Sequence, residues 1–191
     1  MKGNTEGSLS EVQKAIITGS LLGDGYMRCK INAHLEINHA YSQKEYVDWK
    51  YRHFKALVRT PPKKRQSNKG RVAYRFTTRS LPFITRFYKK FYRDKQKIIP
   101  KDIELKPLTL AVWFMDDGSR CGSQLYFNTQ QFLKKDQNCL VRQLKNQWGI
   151  KSGLNRDKHY FRIRLFKESN LRLISSIKSY IIPMFSYKIL I

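Results

Sequence analysis

The first ordered pattern along the chain is an apolar helical run from about Glu11 to Leu22. It opens on Ser10 with Gln13 three residues later, a capping-box pattern in which hydroxyl and amide satisfy the free backbone groups of a first turn. Gly23 is expected to stop this helix, and Gly25 to permit the turn that follows. Beyond that point the period changes to two. In YMRCKIN, Arg28, Lys30 and Asn32 fall on one face and Met27, Cys29 and Ile31 on the other. In HLEINH, His34, Glu36 and Asn38 alternate with Leu35 and Ile37. Such alternation predicts half-buried strands with one polar face.

An aromatic- and lysine-rich stretch from Ser42 to Val58 predicts a helix closed by Pro61-Pro62, and a basic loop, KKRQSNKGR, leads into RVAYRFT. There Arg71, Arg75 and Thr77 alternate with Val72, Tyr74 and Phe76, and an amphipathic helix is expected from Leu81 to Tyr92. A linker from Lys101 to Lys106, too short for a flexible tether, precedes a second helix-first pattern at Leu108 to Met115. Strands are expected at QLYFNT, around Leu154 to Asn155, and at HYFRIRLF, where Arg162 and Arg164 alternate with Phe161, Ile163 and Leu165. Helices are expected from about Lys134 to Trp148, ending at Gly149, and from Glu168 to Tyr180.

The two patterns share an order. Each places an acid-glycine pair after an apolar helix, Asp24-Gly25 in LLGDG and Asp117-Gly118 in FMDDG, 93 positions apart in 191. Each then runs through alternating strands, a basic aromatic helix and more alternation to a helix ending in Ile-Ile-Pro, at Ile98-Ile99-Pro100 and Ile181-Ile182-Pro183. Self-similarity at half-chain spacing predicts two related halves, 1–106 and 107–191.

Composition narrows the partner. A net charge of +24 and a pI near 10.2 are spread over a chain that is 41% hydrophobic and 13% aromatic, which describes a folded protein built to meet a polyanion. A two-stranded ribbon fits the major groove of DNA, where Arg, Lys, Asn and Gln read base edges. The candidate contact set is therefore Arg28, Lys30, Asn32, His34, Glu36 and Asn38 in the first pattern, continued by Arg71, Arg75 and Thr77. Gln124, Asn128, Gln130, Arg162 and Arg164 are its counterparts in the second. The plainer reading of each is a solvated polar face. Cys29, Cys121 and Cys139 show neither a disulfide framework nor zinc spacing. No apolar run is long enough to span a bilayer, and MKGNTEGS lacks the regions of a signal peptide.

The motifs Ile17-Thr18-Gly19-Ser20-Leu21-Leu22-Gly23-Asp24-Gly25 and Leu110-Ala111-Val112-Trp113-Phe114-Met115-Asp116-Asp117-Gly118 resemble those of the single-chain LAGLIDADG homing endonucleases, over nearly the whole sequence from Ser10 to Lys188. The resemblance implies an α+β fold. Two pseudo-symmetric αββαββα halves would pack through the motif helices, their antiparallel sheets forming a DNA-binding saddle. Gly19 and Gly23, four apart, leave a helix face open to close approach, with Ala111 on the second helix, whereas Val112 and Trp113 are bulky where the first copy is small.

By position the resemblance assigns the metal-binding acids to Asp24 and Asp117, holding two or more Mg²⁺ ions, with Gly23 and Asp116 in the same neighbourhood. Asp116 is expected to cap or support rather than ligate. Lys97 and Lys188 match lysines that polarise the attacking water or balance the phosphate charge in similar single-chain members, and Glu36, Asn128 and Gln130, read as strand residues, would order water. His34, His39, His53 and His159 have no metal-ligand spacing and read as surface or base contacts. The implied activity is metal-dependent cleavage of both strands of a long, asymmetric DNA site by a monomer, with an intron-encoded, organellar origin. The alternative is an intron maturase or RNA-binding relative of the same fold, with intron RNA as partner. A structural RNA-binding protein would explain the charge but neither acid-glycine motif.

Overall fold

The computed structural model describes residues 8–66 and 70–190. Most of MKGNTEGS and residues 67–69 of the basic loop lie outside the described residues. The chain forms two compact units, Met1–Lys90 and Phe91–Ile191.

In the first unit, helix α1 (Glu11–Leu22) starts at the expected capping box: Ser10 Oγ accepts from Gln13 N–H, and Gln13 Oε1 accepts from Ser10 N–H. Strands β1 (Tyr26–Cys29) and β2 (Ala33–Ala40), helix α2 (Lys44–Phe54), strands β3 (Lys63–Gln66) and β4 (Val72–Thr77) and helix α3 (Pro82–Phe91) follow. The sheet is antiparallel in the order β1-β2-β4-β3. One face carries the core: Leu35, Ile37 and Phe76 pack beneath Tyr46, Val47 and Phe54 of α2. The Gln13 amide donates to His53 O at 2.8 Å, tying α1 to the end of α2.

The second unit repeats this order. A small hairpin of β5 (Tyr92–Arg93) and β6 (Gln96–Lys97) precedes α4 (Pro107–Asp117), β7 (Gly118–Cys121), β8 (Gln124–Phe127), α5 (Lys134–Trp148), β9 (Ser152–Asp157), β10 (Tyr160–Leu165) and α6 (Lys167–Ile177). Its sheet runs β7-β8-β10-β9, again antiparallel. Helix α5 ends at Gly149, whose left-handed φ of 61° closes the helix. Among the described residues no helix is long and apolar enough to cross a membrane.

The linker belongs to this second unit for a visible reason. Gln143 donates to Lys101 O, Gln147 donates to Ile103 O and accepts from Leu105 N–H, and Trp148 Nε1 donates to Leu105 O at 2.6 Å. Backbone groups of Lys101, Ile103 and Leu105 thereby find their partners on α5.

Four local expectations are corrected. The first half does not run as a helix into Ile98-Ile99-Pro100, because α3 ends at Phe91 and the β5–β6 hairpin intervenes. Its two-residue turn puts Asp94 and Lys95 at φ 50° and 64°, the primed geometry that suits hairpins, without the Asn-Gly that announces it in a sequence. The basic loop is in part a strand, β3, with an exposed edge of Lys63, Lys64 and Arg65. Lys30 and Asn32 sit in the β1–β2 turn rather than on a strand, and Asn32 Oδ1 accepts from Thr85 Oγ1 at 3.2 Å. Asn128 and Gln130 lie beyond the end of β8.

Candidate active site and nucleic-acid interface

In the first unit Asp24 follows directly on the helix cap. Gly23 N–H donates to Gly19 O and Ser20 O, and Gly25 N–H donates to Ser20 O at 2.6 Å, so the backbone doubles back on the last turn of α1. That closeness is why the acid is followed by glycine: a Cβ at Gly25 would lie 2.7 Å from Ser20 Cβ and O. The Asp24 side chain stays 49% exposed.

The second unit reaches the same end by a different contact. Asp117 is the last residue of α4, and Gly118 N–H donates to Phe114 O. A Cβ at Gly118 would overlap both Phe114 O and its ring. Gly25→Ala and Gly118→Ala are each expected to cost about 1–3 kcal/mol through overpacking. Urea unfolding of the two variants checks this, with Gly153→Ala as control for glycine entropy, since a Cβ there would meet only the Phe166 ring at 3.4 Å, an ordinary contact.

Each carboxylate has a nitrogen-bearing neighbour within its own unit. His39 Nδ1 lies 3.5 Å from Asp24 Oδ2, and Gln131 Nε2 donates to Asp117 Oδ2 at 3.1 Å. His39 corrects its sequence reading. It is 6% exposed rather than on the surface, because it has the inward parity of Ala33, Leu35 and Ile37 on β2. Of the other histidines, His34 Nδ1 lies 3.4 Å from Ser80 Oγ on the polar face, and His159 is exposed in the β9–β10 turn. His53 packs edge-on against Trp49, and burial, with Arg52 beside it, lowers its pKa.

The two nominated lysines both belong to the second unit. Lys97 Nζ donates to Gln131 Oε1 at 3.3 Å and so reaches Asp117 through one amide. Lys188 is 8% exposed and donates to Met115 O at 2.7 Å, placing an ammonium on the carbonyl end of α4 where a cation is favoured. The main chain of Asn128 donates to Asp117 O at 2.8 Å, and the Gln130 amide donates to Asp157 Oδ2 at 2.8 Å.

The outward sheet faces carry the nominated basic residues. In the first unit, cross-strand pairs put Arg28 beside His34, Glu36 beside Thr77, and Asn38 beside Arg75, which is itself opposite Lys63. Glu36 lies between two guanidiniums, 3.8 Å from Arg28 Nε and 3.6 Å from Arg75 Nη1. Lys63 and Arg65 join this face, and sequence reading missed them because a four-residue polar edge strand has no hydrophobic alternation. Arg71 is exposed just before β4. In the second unit Arg164 lies opposite Tyr126, and the Arg162 guanidinium stacks 4.0 Å over the same ring. Gln124 is committed to the backbone, its amide donating to Leu165 O.

The chain matches the LAGLIDADG DNA endonuclease family over residues 14–173. It belongs to that family. Among its curated relatives are the cytochrome b mRNA maturase bI2 of Saccharomyces cerevisiae, 30% identical over 97% of this chain and 49% of that protein. Another is the probable intron-encoded endonuclease 1 of Wickerhamomyces canadensis, 28% identical over 96% of this chain and 86% of the relative. The chain spans about half the length of the first two maturase relatives. Among solved structures, the homing endonuclease I-WcaI bound to its DNA recognition sequence superposes with a TM-score of 0.89 at 23% identity, covering 100% of this chain and 95% of that one. I-DmoI in complex with DNA and Ca superposes at 0.59 with 11% identity, over 92% and 96%. These likenesses establish the LAGLIDADG fold of the chain: α+β, with an antiparallel sheet in each unit.

Proposed function

We propose that this LAGLIDADG protein is a site-specific endonuclease that cuts both strands of a long, asymmetric DNA duplex, acting as a monomer with a divalent metal, Mg²⁺. The observation that carries this reading is the repeated arrangement in each unit: a carboxylate at the C-terminal end of the first helix, a side-chain nitrogen facing its Oδ2, and a sheet whose outward face bears arginines. Residues 1–106 and 107–191 are read as the two homologous repeats, each serving one strand.

The donor set fits a hard cation. Asp24 and Asp117 offer carboxylate oxygen at the electronegative ends of α1 and α4, where Mg²⁺ prefers oxygen ligands, and they are the residues that would hold it. When bound, the metal supplies Lewis-acid stabilisation of charge on phosphate oxygen and a water of lowered pKa. His39 and Gln131 orient the two carboxylates. Arg28, Arg75, Lys63 and Arg164 neutralise phosphates or read guanine edges, which fixes the register of the duplex. Gly19, Gly23 and Ala111, all buried, are the small residues of the motif helices, while Val112 and Trp113 make the second helix bulkier. Unequal halves suit an asymmetric site.

The second reading is an intron maturase, favoured by the 30% identity to bI2. The relatives named intron-encoded also support an intron-encoded origin, and with it an organellar location. Incubating the purified chain with Mg²⁺ and a library of intron-insertion sites is expected to give cleaved ends at one sequence. Tight binding of one library member without cleavage at any would sink the nuclease reading. Preference for intron RNA over duplex DNA at matched salt would favour the maturase.

A further inference from the structure

Lys50 is a lysine with no exposed surface, on the inner face of α2. Its Nζ lies 3.3 Å from His39 Nε2 and 4.3 Å from the centroid of the Tyr46 ring, one helical turn earlier on the same face. Tyr46 also packs against the imidazole, with ring centroids 5.2 Å apart. The other ring nitrogen of His39 faces Asp24 Oδ2 at 3.5 Å. Three side chains therefore stand in line: ammonium, imidazole, carboxylate.

The chemistry of this line is constrained at both ends, since an ionised carboxylate only accepts. An ammonium has three donors and no acceptor, so the nitrogen it meets must offer a lone pair. A neutral imidazole with a lone pair on Nε2 carries its proton on Nδ1. We propose that Lys50 fixes the tautomer of His39, making Nδ1–H a standing donor to Asp24, so that His39 is a positioning residue and not a metal ligand. Nδ1 ligation would require the lone pair there and a proton on Nε2, directed at the ammonium of Lys50.

The second unit shows the same logic in other residues. Lys97 donates to Gln131 Oε1, which leaves the amide nitrogen of Gln131 to donate to Asp117 Oδ2. In both units a lysine sets the polarity of a neutral bridging side chain, whose donor end then holds one carboxylate oxygen. The equivalence is chemical rather than positional. Lys50 comes from α2 and Lys97 from β6, so the repeat in sequence does not pair them.

The consequence for cleavage rests on the nuclease reading, whereas the tautomer itself does not. The test is a long-range proton–nitrogen NMR spectrum of the metal-free full chain with labelled histidine, recorded where the rings are neutral. The His39 signals are assigned by their loss in His39→Gln. The expected result is a protonated Nδ1 and an unprotonated Nε2, and an Nε2–H ring overturns the proposal. In folded Lys50→Met the Nε2–H form is expected to appear, and an unchanged Nδ1–H ring also overturns it. If Lys50→Met does not fold, the wild-type spectrum still decides.

A kinetic arm uses His39→Gln, whose amide supplies a donor as Gln131 does. It is expected to keep cleavage within a few-fold, while His39→Ala lowers kcat by roughly 10- to 100-fold with little change in KM, the usual scale for residues that orient a ligand. Equal losses in the two variants would contradict the donor role. A wild-type chain that cuts no DNA would refute the nuclease reading and leave the tautomer result standing.

Discussion

Asp24→Asn and Asp117→Asn are each expected to lower double-strand cleavage by about 10³-fold or more, while duplex affinity stays within a few-fold of wild type. The expectation follows from what each change removes. A carboxylate that holds a cation loses its charge, and metal stabilisation of phosphate charge is worth several kcal/mol, with roughly 1.4 kcal/mol per tenfold in rate. The groove contacts come from elsewhere. Arg28, Arg75, Lys63 and Arg164 lie on sheet strands, and those strands keep their registers whether residue 24 or 117 is charged. Plasmid linearisation with Mg²⁺, set beside gel-shift affinity at one salt concentration, separates the two effects. Loss of binding in step with loss of cleavage would show that the acids act in folding or docking instead. Each acid serves one strand in the proposed function, so a single variant is expected to leave nicked plasmid as its main product.

Trp113→Ala is expected to destabilise the second unit by about 3–5 kcal/mol, among the largest costs available to a point change in a core. Trp113 is fully buried and stacks on Phe127 with centroids 3.8 Å apart, and Phe114 meets the same ring edge-on at 5.5 Å. Removing the indole leaves a cavity against a helix and a strand at once. Trp113→Phe should behave differently. The indole N–H is buried with no hydrogen-bond partner among the described residues, so phenylalanine deletes an unsatisfied donor while keeping a ring on Phe127. Its expected cost is about 1 kcal/mol or less. Urea unfolding followed by tryptophan-independent circular dichroism measures both. A Phe variant as unstable as the Ala variant would mean that indole volume, not ring stacking, holds α4 to its sheet.

The helices and most strands were legible because their signals are local. The capping box at Ser10 and Gln13, the alternation in HLEINH and HYFRIRLF, and Gly149 after Trp148 each state their structure within a few residues. The β5–β6 hairpin was not legible, since Asp94 and Lys95 adopt positive φ without glycine or asparagine. Strand β3 escaped because it is polar on both faces and is recognised only by pairing with β4.

The candidate site divides along the same line. The amino-acid sequence by itself determined the two acid-glycine pairs, their half-chain repeat, the excess of positive charge and the polar parity of the strands, because all of these are properties of order and spacing. Only the tertiary structure decided which side chains attend each acid. His39, Lys50, Gln131 and Lys97 are brought to Asp24 or Asp117 by strands and helices folding over one another, and no spacing in the chain encodes that meeting. It also decided why glycine follows each acid: at Gly25 and at Gly118 the obstacle is the turn of helix the chain folds back upon, Ser20 in one unit and Phe114 in the other.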